Sequence, residues 1–126
     1  MANPNIVNVT DIRGKTYFNE MANGSHTSML NNTAGSNSVY KINVISISNG
    51  TGSAANINVA VYRDPDGGGA APARYYDIAN TVSIPANSTL VVTAKDTSFY
   101  LEEGDILTSF ASAANLEIMV SYEIIS

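Results

Sequence analysis

The sequence predicts an all-β fold: a single-domain antiparallel β-sandwich, jelly-roll-like, of about eight strands. Three observations carry this. Apolar residues recur with a period close to two along most of the chain, the spacing that puts alternate side chains on one face of a strand. Turn signals built from Gly, Pro and Asn interrupt that pattern about every ten residues. The chain of 126 residues has 13% charged residues and fifteen asparagines, a composition in which Asn, Ser and Thr supply the polarity of outer strand faces and turns.

Ile6, Val7 and Val9 predict a first short strand ending near Thr10-Asp11, within an N-terminal arm over residues 1–10. Lys15 to Asn19 and His26 to Leu30 predict two more, separated by the turn Asn23-Gly24-Ser25. Val39 to Ser48 is a stronger strand whose alternation drifts midway, the mark of a bulge or of burial on both faces. Asn49-Gly50-Thr51-Gly52 then supplies turn residues, and Ile57, Val59 and Val61 return the chain, so a hairpin is expected here. Asp64 to Pro72, with three consecutive glycines, reads as a mobile surface loop. Tyr75 to Ile84 is the next strand, broken by Pro85-Ala86-Asn87, and Leu90, Val91 and Val92 predict a buried strand after it. Leu101 to Asp105 reads as a solvated polar turn into a strand from Ile106 to Ser112. The last strand is the most regular, with Leu116, Ile118, Val120, Tyr122 and Ile124 facing in and Glu117, Met119, Ser121 and Glu123 facing out.

Composition excludes several function classes. A net charge of −5 with six scattered basic residues does not provide the clustered Lys and Arg that a phosphate backbone or anionic membrane requires. With no cysteine, there is no disulfide, thiolate metal site or cysteine nucleophile. Met1 is followed by Ala-Asn-Pro-Asn, without a basic n-region or an apolar stretch, so no signal peptide of ordinary form is expected and synthesis takes place in a cytoplasm.

No motif predicts catalysis or a cofactor. The one histidine, His26, has no nucleophile elbow near it and reads as an exposed strand or turn residue. Asp64, Asp66 and Gly67 begin like a calcium loop but continue with glycines and alanines, so no metal site is expected. Glu102, Glu103 and Asp105 read as a contact to a neighbouring subunit rather than as paired catalytic acids. Five Asn-x-Ser/Thr triplets follow from the composition. Tyr62, Tyr75 and Tyr76 flank the glycine loop and are candidates to face a ligand, because tyrosine joins a large apolar area to a polar tip.

A resemblance extends over most of residues 20–126. It is carried by Gly24-Ser25-His26-Thr27-Ser28-Met29-Leu30, Val39-Tyr40-Lys41-Ile42-Asn43, Ile84-Pro85-Ala86-Asn87-Ser88-Thr89-Leu90 and Lys95-Asp96-Thr97-Ser98-Phe99-Tyr100. Its most specific parts are Tyr100-Leu101-Glu102-Glu103-Gly104-Asp105 and Val120-Ser121-Tyr122-Glu123. Together these segments resemble a group of small virion structural proteins of tailed phages, including phages of aquatic bacteria.

The resemblance implies a sandwich-like, non-enzymatic structural protein of a bacteriophage virion, made in the host bacterial cytoplasm. It implies a capsid decoration or cement protein that binds assembled subunits, and as the alternative a neck, tail or fibre component that includes a carbohydrate-binding adhesin. The partners implied are other virion proteins, with self-association as a trimer, and neither nucleic acid nor membrane. The expected contacts are the arm with Ile6, Val7 and Val9, the apolar faces of edge strands, and the acidic turn Glu102, Glu103 and Asp105.

Overall fold

The computed structural model describes residues 8–63 and 74–126. Nine strands are present there: β1 (Ile12–Glu20), β2 (Thr27–Asn31), β3 (Val39–Asn49), β4 (Ala55–Arg63), β5 (Arg74–Ile84), β6 (Ser88–Thr93), β7 (Phe99–Leu101), β8 (Ile106–Ala111) and β9 (Leu116–Ile125). Every pairing between strands is antiparallel. One sheet has the order β1-β9-β3-β6, with β7 also on β3, and the other has the order β2-β8-β4-β5. β6 pairs with Ile45–Asn49 of β3 and β7 with Tyr40–Ile42, so the two form one edge strand interrupted by the 3-10 turn Lys95–Thr97. Counted that way there are eight strands, as the periodicity predicts.

Consecutive strands mostly lie in opposite sheets, and only β4 and β5 are paired neighbours in sequence. Two four-stranded sheets wound in this order are a jelly roll. The prediction of an antiparallel sandwich with jelly-roll character holds.

The core lies between the sheets. Ile42, Ile45, Ile47, Leu116, Ile118 and Val120 of the first sheet meet Ile57, Val59, Leu107 and Ala111 of the second, all of them buried. β-Branched residues dominate because their stiff side chains pack well on a pleated surface. The drift in β3 is a bulge. The register against β9 shifts between Ile42 and Val44, so Ile42, Ile45 and Ile47 can all face inward.

Three expectations need correction. Val39–Ser48 and Ile57–Val61 do not form a hairpin, because β3 and β4 belong to different sheets. Each presents a β-branched apolar face, Ile42, Ile45 and Ile47 on β3 and Ile57, Val59 and Val61 on β4, and the two faces bury more apolar surface by packing across the core than by pairing edge to edge. Asn49 (1% exposed) holds the crossover, donating through Nδ2 to the carbonyls of Ser53, Ile84 and Pro85 and accepting from Thr51. Leu90-Val91-Val92 is not a buried strand: β6 is an edge, and Val91 is 57% exposed. Val9 and Thr10 are not in a strand, and among the described residues the first strand begins at Ile12.

Candidate functional site

The acidic turn is a clasp inside the molecule. Asp105 is fully buried, and its carboxylate accepts from both Nε (2.7 Å) and Nη2 of Arg63 and from the backbone N–H of Glu102 (2.8 Å). Arg63 also reaches Glu102 at 2.8 Å. The hydrogen bond to Asp105 raises the Arg63 pKa further above its already high ordinary value. Glu103 is 3% exposed and accepts from the N–H of Asn37. Beside them Asn32, fully buried, donates to the carbonyls of Ser38 and Leu101, and its own backbone bonds Asp105 and Gly104.

The clasp therefore ties the 32–38 loop, the 101–105 turn and the end of β4 together. It corrects the expectation of a solvated contact turn at Glu102, Glu103 and Asp105. Two of these three carboxylates are enclosed: Arg63, 42 residues away in sequence, supplies the charge that makes the burial of Asp105 tolerable, and the Asn37 N–H meets Glu103. Glu102, with 40% of its side chain exposed, stands at the surface of the clasp.

The three tyrosines divide. Tyr62 and Tyr75 are opposite each other on β4 and β5, with ring centroids 5.0 Å apart on the outer face of the second sheet. Tyr76 takes the opposite face, as consecutive strand residues must, and lies under Arg74 with 5.1 Å from guanidinium to ring centroid.

Two residues join the outer cluster that the sequence pattern did not single out. His26 is stacked on Tyr75 at 4.0 Å and meets the edge of Phe110 at 4.7 Å. His26 is thus half-buried, not an exposed turn residue. Its Nδ1 lies 3.1 Å from Thr108 Oγ1, whose one proton goes to the Ala60 carbonyl, so Nδ1 is the donor to Thr108. The aromatic lid accounts for the burial of Ala60 and Thr108, which are at outward positions of β4 and β8. The outward parity of Phe110, opposite Leu107 and Ala111, was the one sequence signal for this cluster.

Two surfaces remain open. A groove of ≈490 Å³ between the sheets is lined by Val61, Arg63, Tyr76, Phe99 and Tyr100. On the outer face of the first sheet, the register aligns Phe18, Met119, Ser46 and Val91 in one row across four strands. Phe18 is 74% exposed, and shallow depressions beside it are bounded by Ser46, Ser48 and Glu117. The adjacent row reads Glu20, Glu117, Ser48, Thr89, so the apolar row has an acidic border.

Of the predicted arm contacts, Val9 is half-buried; Ile6 and Val7 lie outside the described residues, as do Asp64, Asp66 and the glycine loop. Among the described residues no three His, Cys, Asp or Glu side chains group as metal ligands. No family model matches the chain, and no curated protein matches it.

Proposed function

We propose that this protein is a structural accessory of a tailed-phage virion, a decoration or cement protein that docks through the outer face of the β1-β9-β3-β6 sheet. The observation that carries the docking face is the row Phe18, Met119, Ser46, Val91. It places two large, mostly exposed apolar side chains on an antiparallel sheet, with the short polar residues Thr16, Ser46, Ser48 and Thr89 beside them. The resemblance over residues 20–126 supports the virion setting, and the jelly-roll order is one that capsid domains use, although fold alone never fixes function. The acidic border of Glu20 and Glu117 calls for a neutral or basic partner surface. Binding only the assembled lattice then stabilises that lattice by mass action, and many weak contacts add by avidity.

The test is electron microscopy of intact virions carrying labelled protein, wild type and Val91→Glu. Val91 is exposed on an edge strand, so the substitution changes stability by only about ±0.5 kcal/mol. Shell-wide density that is lost with Val91→Glu is the expected result. Absence of density, or density indifferent to Val91, removes the reading.

The groove at Tyr76, Phe99 and Tyr100 favours a second reading, a neck, tail or fibre adhesin that stacks a sugar beside Arg63. Density at a single vertex, together with glycan-induced NMR shifts at Tyr76 and Tyr100, is the outcome that would select it.

A further inference from the structure

Sheet edges are templates for strand addition unless they are blunted. Three of the four edges here carry such a device. β2 is five residues long and has a register shift between Ser28 and Leu30. β5 has two register shifts against β4, and the β6–β7 edge is broken by the 3-10 turn. β1 differs. It runs nine residues in unbroken register with β9, and every residue except Tyr17 is exposed.

The hydrogen-bond phase shows what that edge offers. Asp11 and Ser126 exchange both backbone bonds, each 3.0 Å, and Met21 donates to Leu116 at 2.7 Å. Odd-numbered residues are therefore the ones bonded to β9, and the N–H and C=O groups of Ile12, Gly14, Thr16, Phe18 and Glu20 point to the other side. The Glu20 N–H is already met by Asn19 Oδ1 at 2.9 Å. Among the described residues no strand pairs that side.

We propose that β1 pairs antiparallel with β1 of a second copy about a two-fold axis at Thr16, joining the two first sheets into one. The sequence of the strand is self-complementary in that register. Phe18 lies across from the second copy's Gly14, and a Cβ built on Gly14 meets nothing within 4 Å, so the ring has room over it. Lys15 faces the second copy's Tyr17, and Arg13 faces the second copy's Asn19. Glu20 lies across from the second copy's Ile12, so this register sets no like charges opposite each other. A shift of two residues would instead put Lys15 on Lys15, which like-charge repulsion disfavours. The pairing is isologous and gives a dimer in place of the trimer expected from shell symmetry. It stands whether or not the virion reading does, because it concerns the free protein.

Sedimentation velocity of the full chain should give about twice the 13.3 kDa chain mass. Thr16→Pro removes the two central hydrogen bonds without touching β9, weakening dimerisation roughly 30-fold, or about 2 kcal/mol. Because the chain has no cysteine, Thr16→Cys should cross-link to a dimer on oxidation, its Cα atoms about 5.5 Å apart in a hydrogen-bonded pair. Thr89→Cys on β6 should not. A monomeric or trimeric wild type, or equal cross-linking of the two cysteine variants, overturns the proposal; if Thr16→Pro fails to fold, the cysteine pair decides.

Discussion

Replacing Asp105 with alanine removes the centre of the clasp. Asp105 is fully buried and accepts three hydrogen bonds, two from Arg63 and one from the Glu102 N–H. Breaking a buried pair by deleting one partner typically costs about 3–5 kcal/mol, since the survivor stays desolvated and uncompensated. Here the survivor, Arg63, keeps 35% of its side chain exposed and retains Glu102 at 2.8 Å, so the low end, ~3 kcal/mol, applies. For a domain of this size that lowers Tm by roughly 10 °C.

The converse change, Arg63→Met, strands a fully buried carboxylate and should cost at least as much. The double variant Arg63→Met with Asp105→Val should recover part of the loss, because an apolar pair leaves no stranded charge and only the Glu102 N–H loses its acceptor. Urea melts followed by circular dichroism, with the m-value unchanged, measure all three. A loss under about 1 kcal/mol for Asp105→Ala would put the pair in the range of surface ion pairs and refute the reasoning. So would a double variant no better than Arg63→Met.

Two further outcomes follow from buried polar groups. Asn49→Ala takes the side-chain donor from the carbonyls of Ile84 and Pro85 at the end of β5, while Ser53 keeps Thr51 Oγ1, and should lose about 2 kcal/mol, read from urea melts, against little change for Asn56→Ala on the exposed side of β4. Burial, with a smaller contribution from neighbouring Tyr40, raises the Tyr122 pKa above its ordinary 10.0. The folded chain therefore holds the phenol proton more tightly than the unfolded chain. Stability should be level below about pH 10 and fall as pH rises towards the folded value. Tyr122→Phe should flatten that fall in a series of melts from pH 8 to the alkaline limit of folding.

Strand existence was legible because period two needs only local sequence. β9 follows its predicted alternation from Leu116 to Ile124, and the drift in β3 marks the bulge at Asn43. Partner choice was not legible. The stretch from Asn49 to Gly52 has the composition of a hairpin turn, yet alternation is the same whether two strands pair by edges or pack by faces. Burial of the acidic turn was equally hidden, since Glu-Glu-Gly-Asp reads as solvated until Arg63 is brought beside it. The outer aromatic cluster needed both the parity of Phe110 and the fold that brings β2 to it, and only the first is in the sequence.

The low charge content acquires a physical reading from these placements. Of the few charged residues, Arg63, Glu103 and Asp105 are committed to internal ties, and Asn43 draws on Glu123 through its side-chain amide. Thr16, Ser46, Ser48, Thr89, Val91 and Ser121 form a short-side-chain stretch on the outer face of the first sheet, beside Phe18 and Met119. Short and β-branched side chains have little rotamer freedom to lose on docking, where each long flexible one costs about 0.5–1.5 kcal/mol. A face of this kind can bind at low entropic cost per contact without being strongly apolar. β1 carries part of that face and also the edge of unbroken register, so pairing two copies through β1 would set two docking rows side by side on one continuous sheet. Each dimer would then meet a repeating partner surface at two linked points, and the second contact forms at the effective concentration set by the rigid sheet between them.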